Sequence, residues 1–194
     1  MCQPASFVVT ENRVYWSCNT EGHEEIIAEH NIRDAIAERI NIVRCEVSPP
    51  DGALALPVEE WVYRLDQDIT PDWYDAEEVE RRCREALSAW RAAKLHVDGD
   101  ARVRNGLHYV CGCATVRASD SATVRAYDSA TVRAYGSATV EASGRATVMR
   151  WSIASRVTLA GQCAVLVERT QAMPVCYVGG AALAAAAEEA EGGE

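Results

Sequence analysis

Six side chains combine charge with flat aromatic surface at a fixed spacing: Arg117, Arg125 and Arg133 recur every eight residues, and Tyr127, Tyr135 and Trp151 fall on a second column of the same period. Guanidinium groups neutralise phosphates and aromatic rings stack on bases, so such a strip has the chemistry of a nucleic-acid surface. Residues 97–178 carry 9 basic against 6 acidic side chains, a weak field for that purpose, and the segments on either side are acidic. These six are the binding residues the sequence singles out. It assigns no catalytic residue, no metal and no cofactor.

Other groupings compete for chemistry, and each has a plainer reading. His108-x-x-Cys111-x-Cys113 brings imidazole and soft thiolates together in the manner of zinc, with the two cysteines expected on one side of a strand, but only three ligands are local. Asp66, Asp68, Asp72 and Asp75 surround Pro71 and Trp73 and could do acid–base work or hold a divalent ion. Aspartates beside proline more often make turns and helix caps. Cys2 would become terminal if Met1 were removed, and a terminal cysteine can use its own amine as base. That start is similar to class II amidotransferases in this one residue, although Gln3 stands where they have glycine. His23-Glu24 opens like a zincin helix, but Ile27 replaces the second histidine, and His23 with His30 lacks a third ligand.

What positions the six residues is a repeat. Five eight-residue units follow without a gap: CATVRASD (113–120), SATVRAYD (121–128), SATVRAYG (129–136), SATVEASG (137–144) and RATVMRWS (145–152). NGLHYVCG (105–112) precedes them; after Ile153-Ala154 come SRVTLAGQ (155–162), CAVLVERT (163–170) and QAMPVCYV (171–178), degenerate units of the same length. Eight is even, so the two-residue alternation of a strand keeps its phase from unit to unit. Ala122, Val124 and Ala126 therefore face inward with their equivalents, while Thr123, Arg125 and Tyr127 face outward. Asp-Ser and Gly-Ser supply the corners. A helix is excluded, because a period of eight drifts around a 3.6-residue turn and the corner residues break it.

The expected fold is an α+β N-terminal domain followed by a single-stranded parallel β-solenoid (β-helix) of eight-residue repeats. Two units per coil place Arg125 beside Glu141 and Tyr135 beside Trp151; three place Arg117 beside Glu141. Small inward side chains favour the flatter, two-sided coil. In the last units Val157, Leu159, Val165 and Val167 take the apolar places, and Ile153-Ala154 is read as the bulge or corner that resets the register. The outward threonines 115, 123, 131, 139 and 147 resemble those of ice-binding solenoids, but flanking Arg and Tyr spoil the flatness such a surface needs. The octad run itself resembles the tandem Ser-Ala-Thr-Val repeats of uncharacterised phage-type proteins. In architecture it is similar to pentapeptide- and hexapeptide-repeat β-helices, and the resemblance carries no catalytic residues across.

Four segments are expected: an acidic head (1–96), a junction (97–104), the solenoid (105–178) and an Ala/Glu/Gly-rich tail (179–194), frayed or disordered. Their charges are 10 basic against 19 acidic in the head, and four acidic alone in the tail, within a net −10. In the head, SFVV (6–9) and RVYW (13–16) read as a hairpin, Thr20 as the cap of a helix through His30, and INIVRCEV (40–47) as a strand. PPDG (49–52) reads as a turn, VEEWVYRLD (58–66) as a helix after Pro57, and 75–94 as the strongest helix. There Val79, Cys83, Leu87, Trp90 and Lys94 share one face, with Glu77/Arg81, Glu78/Arg82 and Glu80/Arg84 pairing outside.

No apolar run is long enough for a membrane span and the N-terminus lacks the pattern of a secretory signal, so a cytoplasmic protein with reduced cysteines is expected. The functional expectation is a non-enzymatic interaction or scaffold protein of phage type, whose solenoid presents a rigid array to a partner while the head binds or caps the stack. The partner expected first is a protein of unknown identity, with nucleic acid weakly supported, no membrane, and a monomer or small homo-oligomer. The alternatives are an enzyme in the head using Cys2 or the Asp66–Asp75 carboxylates, and a nucleic-acid-mimicking inhibitor.

Overall fold

The computed structural model describes residues 4–36 and 39–179, so Cys2 and the tail beyond Gly179 lie outside the described residues. The chain divides near Ala93 into two compact units.

The first unit is built on a four-stranded antiparallel sheet in the order β2-β1-β5-β6, formed by β1 (Ser6–Val9), β2 (Val14–Tyr15), β5 (Val43–Ser48) and β6 (Val62–Leu65). Helix α1 (His23–Glu29) packs Ile26 against Val8 and Ile42. A small hairpin joins β3 (Ala35–Ile36) to β4 (Arg39–Ile40). Thr20 does not cap α1 through its side chain; its Oγ accepts the Gly22 amide, and Gly22 holds the cap position. Helix α2 (Ala76–Lys94) starts on Asp75, whose Oδ1 accepts the Glu78 amide at 2.9 Å. Its face of Val79, Cys83, Leu87, Trp90 and Lys94 is buried as the spacing requires. Trp90 meets Trp61 edge-on at 6.1 Å.

Two expectations for this unit are corrected. Residues 58–66 are not a helix: Pro57 leads one 3₁₀ turn (Val58–Glu60), after which Val62–Leu65 pairs antiparallel with β5. Trp61 is buried, Val62 exposed and Tyr63 half-buried, an alternation of period two that the adjacent aromatic and β-branched side chains favour over a helix. On α2 the pairing also differs. Glu80–Arg84 forms, but Arg81 binds Glu78 and Glu85, while Arg82 donates to the carbonyls of Thr10 and Glu11.

The second unit is a parallel β-solenoid of about five turns, from Leu95 to Glu168. Sheet I stacks β8 (Asp100–Val103), β10 (Thr115–Ala118), β12 (Thr131–Ala134), β14 (Thr147–Arg150) and β16 (Val165–Glu168). Sheet II stacks β7 (Leu95–His96), β9 (Leu107–Val110), β11 (Thr123–Ala126), β13 (Thr139–Ala142) and β15 (Arg156–Leu159). Thr131 lies beside Thr115 and Thr139 beside Thr123, so one turn takes sixteen residues and two strands. The interior is the Ala-Val-Ala set, fully buried from Ala114 to Val148. Strands β7 and β8 are already part of the stack, in the stretch read as the end of the head and a junction.

The corners explain the punctuation of the repeat. Gly112, Asp120, Asp128, Gly136 and Gly144, the eighth residue of consecutive units, all have φ between 52° and 63°. Glycine reaches that left-handed region freely, and aspartate is among the few others that tolerate it. Asp128 in addition accepts the Gly112 amide at 3.2 Å.

The late units depart from the expected register. The Ile153-Ala154 insertion does not act at one place: residues 151–155 and 160–164 each form a corner one residue longer than the four-residue corners before them. Val157 and Leu159 then pair with Val140 and Ala142 and join the core, as read from sequence. In the next rung Leu166 takes the inward place beside Val148, and Val165 and Val167 stand outside beside Thr147 and Met149. The stretch 171–178 is not a further coil, because β17 (Val175–Val178) turns back and pairs antiparallel with β16.

At Gly112 a Cβ would lie 2.5 Å from the Val97 carbonyl oxygen. Gly112→Ala is therefore expected to cost more than the ~1–2 kcal/mol of a left-handed non-glycine residue alone, read as a lower urea midpoint. Asp128→Gly, which suits the same backbone, is expected to cost less.

Candidate functional site

Because each turn returns after two strands, every outward position becomes a column on one sheet. Outward residues of sheet I form three columns. The first is Asp100, Thr115, Thr131, Thr147 and Val165; the second is Arg102, Arg117, Arg133, Met149 and Val167. The third runs along the corner that follows each strand: Arg104, Ser119, Tyr135, Trp151 and Arg169, joined by ladder bonds such as Tyr135 N–H to the Ala118 carbonyl at 2.9 Å.

Arg102, Arg117 and Arg133 thus stand on adjacent rungs, about 4.8 Å apart, and among the described residues none has a carboxylate within ion-pair distance. Like charges directly opposite one another on neighbouring strands are unfavourable. The buried Nε of Arg133 has no hydrogen-bond partner among the described residues. The equivalent column of sheet II is different: Leu95, Tyr109, Arg125, Glu141 and Thr158. There Arg125 pairs with Glu141 at 3.5 Å and its guanidinium lies 6.0 Å from the Tyr109 ring. Along the corner of sheet I, Tyr135 stacks on Trp151 with centroids 6.2 Å apart and 10° between planes. Arg169 covers the Trp151 ring, 5.7 Å from its centroid.

The six residues singled out from sequence are therefore not one strip. Arg117, Arg133, Tyr135 and Trp151 share sheet I and its corner, whereas Arg125 and Tyr127 belong to sheet II. Tyr127 is half-buried, and burial pushes its phenol pKa up. The residues that reasoning along the chain missed are Arg102, Arg104 and Arg169. They lie in units without the clean motif, so only the sixteen-residue return brings them into line. The threonine column likewise divides, with 115, 131 and 147 on one sheet and 123 and 139 on the other.

The remaining candidates dissolve into structural roles. Asp66 sits 3.2 Å from Nδ1 of the buried His23, Asp72 pairs with Arg39, Asp75 caps α2 and Asp68 is exposed, so the four form no metal-holding group. His23 Nε2 lies 3.2 Å from the Cys45 carbonyl, and His30 Nε2 lies 3.0 Å from that of Trp16. Cys111 is buried and Cys113 exposed, because the left-handed Gly112 turns the chain between them. Their expected common direction fails, and no group of three metal-ligating side chains forms among the described residues. His108 instead meets His96, Nδ1 to Nε2 at 3.3 Å, and its own Nε2 lies 2.9 Å from the Asn105 carbonyl. Donation to that carbonyl leaves Nδ1 to accept from His96. Burial lowers the pKa of both rings; the proximity of His108 adds to this for His96, and the charge of Lys94 for His108 against the Asn105 bond.

No protein-family model, curated protein or solved structure matches the chain.

Two measurements follow from these side chains. Lowered histidine pKa values mean that the unfolded chain takes up protons first as pH falls below about 6.5, so this stability is complete above that pH and lost below it, through the folded values. Urea unfolding should show a more stable protein at pH 7.5 than at pH 5.5, and His108→Gln should narrow the difference; an unchanged difference contradicts the arrangement. The thiols should separate by burial. Cys45 and Cys83 face each other at 3.3 Å, and the neighbouring Cys83 together with burial raises the Cys45 pKa well above its ordinary value. Iodoacetamide on the native protein should label Cys18, Cys113, Cys163 and Cys176 and leave Cys45 and Cys83 for denaturing conditions.

Proposed function

We propose that the chain is a non-enzymatic interaction protein, akin to the phage-type octad-repeat proteins, whose solenoid holds a rigid array of side chains against a partner, with the outer face of sheet I as the contact surface. One observation supports the reading. The same sequence position is neutralised by an Arg–Glu pair on sheet II and left as three stacked, uncompensated arginines on sheet I. A stack that served only its own stability gains nothing from like charges on adjacent rungs. A surface awaiting an oppositely charged partner gains the whole of that interaction on binding. Rigidity suits this use, since a laddered sheet presents its side chains without the ordering cost that a mobile loop incurs.

The test compares the two faces. Arg117→Glu/Arg133→Glu changes sheet I, and Arg125→Gln/Glu141→Gln removes the pair on sheet II. Both proteins should retain the circular dichroism spectrum of the parent. In pull-downs from the native host, the sheet I variant should lose at least about ten-fold of the specifically captured material, equivalent to some 1.4 kcal/mol, while the sheet II variant retains it. Equal capture by all three proteins would refute the assignment.

A further inference from the structure

We infer that the ligand of this face is single-stranded nucleic acid, its phosphates on Arg102, Arg117 and Arg133 and one base stacked on Tyr135 above Ser119. The inference rests on the reading of sheet I as a binding face and adds the chemistry of what is bound.

Charge alone would admit any polyanion, and the corner column decides among them. One face of Tyr135 is covered by Trp151, which Arg169 covers in turn. On its other side the next rung carries only Ser119, and the rung beyond carries Arg104. Two strand spacings, about 9.5 Å, separate the Tyr135 and Arg104 positions. A planar base in van der Waals contact on both sides needs about 3.5–4 Å on each, so it fits between a tyrosine ring and a guanidinium with the serine as its floor. Ring and guanidinium are the two side-chain groups on which bases stack.

The arginine column runs beside this slot, two residues away along each strand, so backbone and base of one strand can be held together. The terminal guanidinium nitrogens of Arg117 and Arg133 gain acceptors in phosphate oxygens. An acidic peptide could satisfy the arginines but leaves the slot unused, and a duplex keeps its bases stacked inside. The slot's polar floor is the Ser119 hydroxyl, already directed at Asp120 Oδ2, so little sequence preference is expected. The net charge of −10 works against binding and keeps the affinity modest.

The experiment uses the full chain and a fluorescein-labelled 20-nucleotide oligothymidylate, followed by anisotropy over a salt series. Three phosphate contacts predict a slope of log K against log salt near −2, at roughly −0.7 per contact. Arg117→Gln/Arg133→Gln should reduce that slope to about −0.7. Ser119→Trp gives up the exposed contact of the Ser119 hydroxyl with Asp120 Oδ2 at 3.5 Å, fills the slot and extends the aromatic column. It should weaken binding roughly 5- to 100-fold with the slope unchanged, and an unchanged circular dichroism spectrum and melting temperature show that the solenoid is intact.

Binding that is indifferent to Ser119→Trp and matched by polyglutamate overturns the inference in favour of an acidic protein partner. No binding of the oligonucleotide at low salt, while the sheet I variant still loses its captured material, overturns the inference and leaves the binding face standing. No binding together with unchanged capture removes both.

Discussion

Everything in the solenoid depends on a corner that reverses the chain in four residues, with one of them left-handed. Gly112, Asp120, Asp128, Gly136 and Gly144 recur at intervals of eight because each four-residue corner takes that conformation once. Strands of four residues and corners of four make an even period, so the inward set stays inward through turn after turn. A longer corner shifts the inward positions along the sequence without turning them out of the core. The final turns show this directly. Their corners grow by one residue each, and the inward position moves from Val148 to Val157 to Leu166 in steps of nine.

The same constraint makes the surface a lattice, and stacked positions cannot ignore one another. Where the chemistry of neighbours agrees the columns are quiet: threonine on threonine, Tyr135 on Trp151, Arg125 against Glu141. Even the interior accepts charge on these terms. Arg150 takes an inward alanine place, but Glu168 occupies the place beside it at 3.2 Å, and the carbonyls of Ser152 and Ile153 accept from its Nε and Nη2. Against that background the arginine column of sheet I stands out as the place where neighbours disagree. Disagreement of this kind is stored as repulsion between neighbouring rungs.

How much of this could be read in the sequence depends on which length scale a residue's role belongs to. The repeat, its phase and its inward set rest on alternation within a unit, and they were legible, as was the buried face of α2. Coil length is not a local property, since two and three units per turn satisfy the same alternation. That ambiguity is why Arg125 and Tyr127 looked like neighbours of Arg117 and Tyr135 when they belong to the other sheet. It also hid Arg102 and Arg104, which precede the clean units. In the head, Pro57 stands where a helix over Val58–Asp66 would start, and only pairing with β5 made Val62–Leu65 a strand. Arg82 was misassigned for a similar reason. Its helix neighbours offered carboxylates, but the carbonyls of Thr10 and Glu11 lie seventy residues away in sequence and close in space.

The slender interior carries a cost, and that cost shapes the two ends of the parallel stack. An alanine buries little apolar surface, so each turn draws less from the hydrophobic effect than a leucine-lined coil would and leans more on its ladder of hydrogen bonds and on the turns beside it. The end turns have a neighbour on one side only. At the C-terminal end the chain compensates in two ways: Leu159 and Leu166 replace Ala142 and Val148 with larger apolar groups, and β17 closes the row of hydrogen-bonding groups on β16 by turning back antiparallel. The reversal at β17 breaks the parallel progression, so the stack ends there and not in another coil. The regular middle is then free of any capping duty. Its columns can be spent on surface chemistry because the irregular ends carry the work of termination.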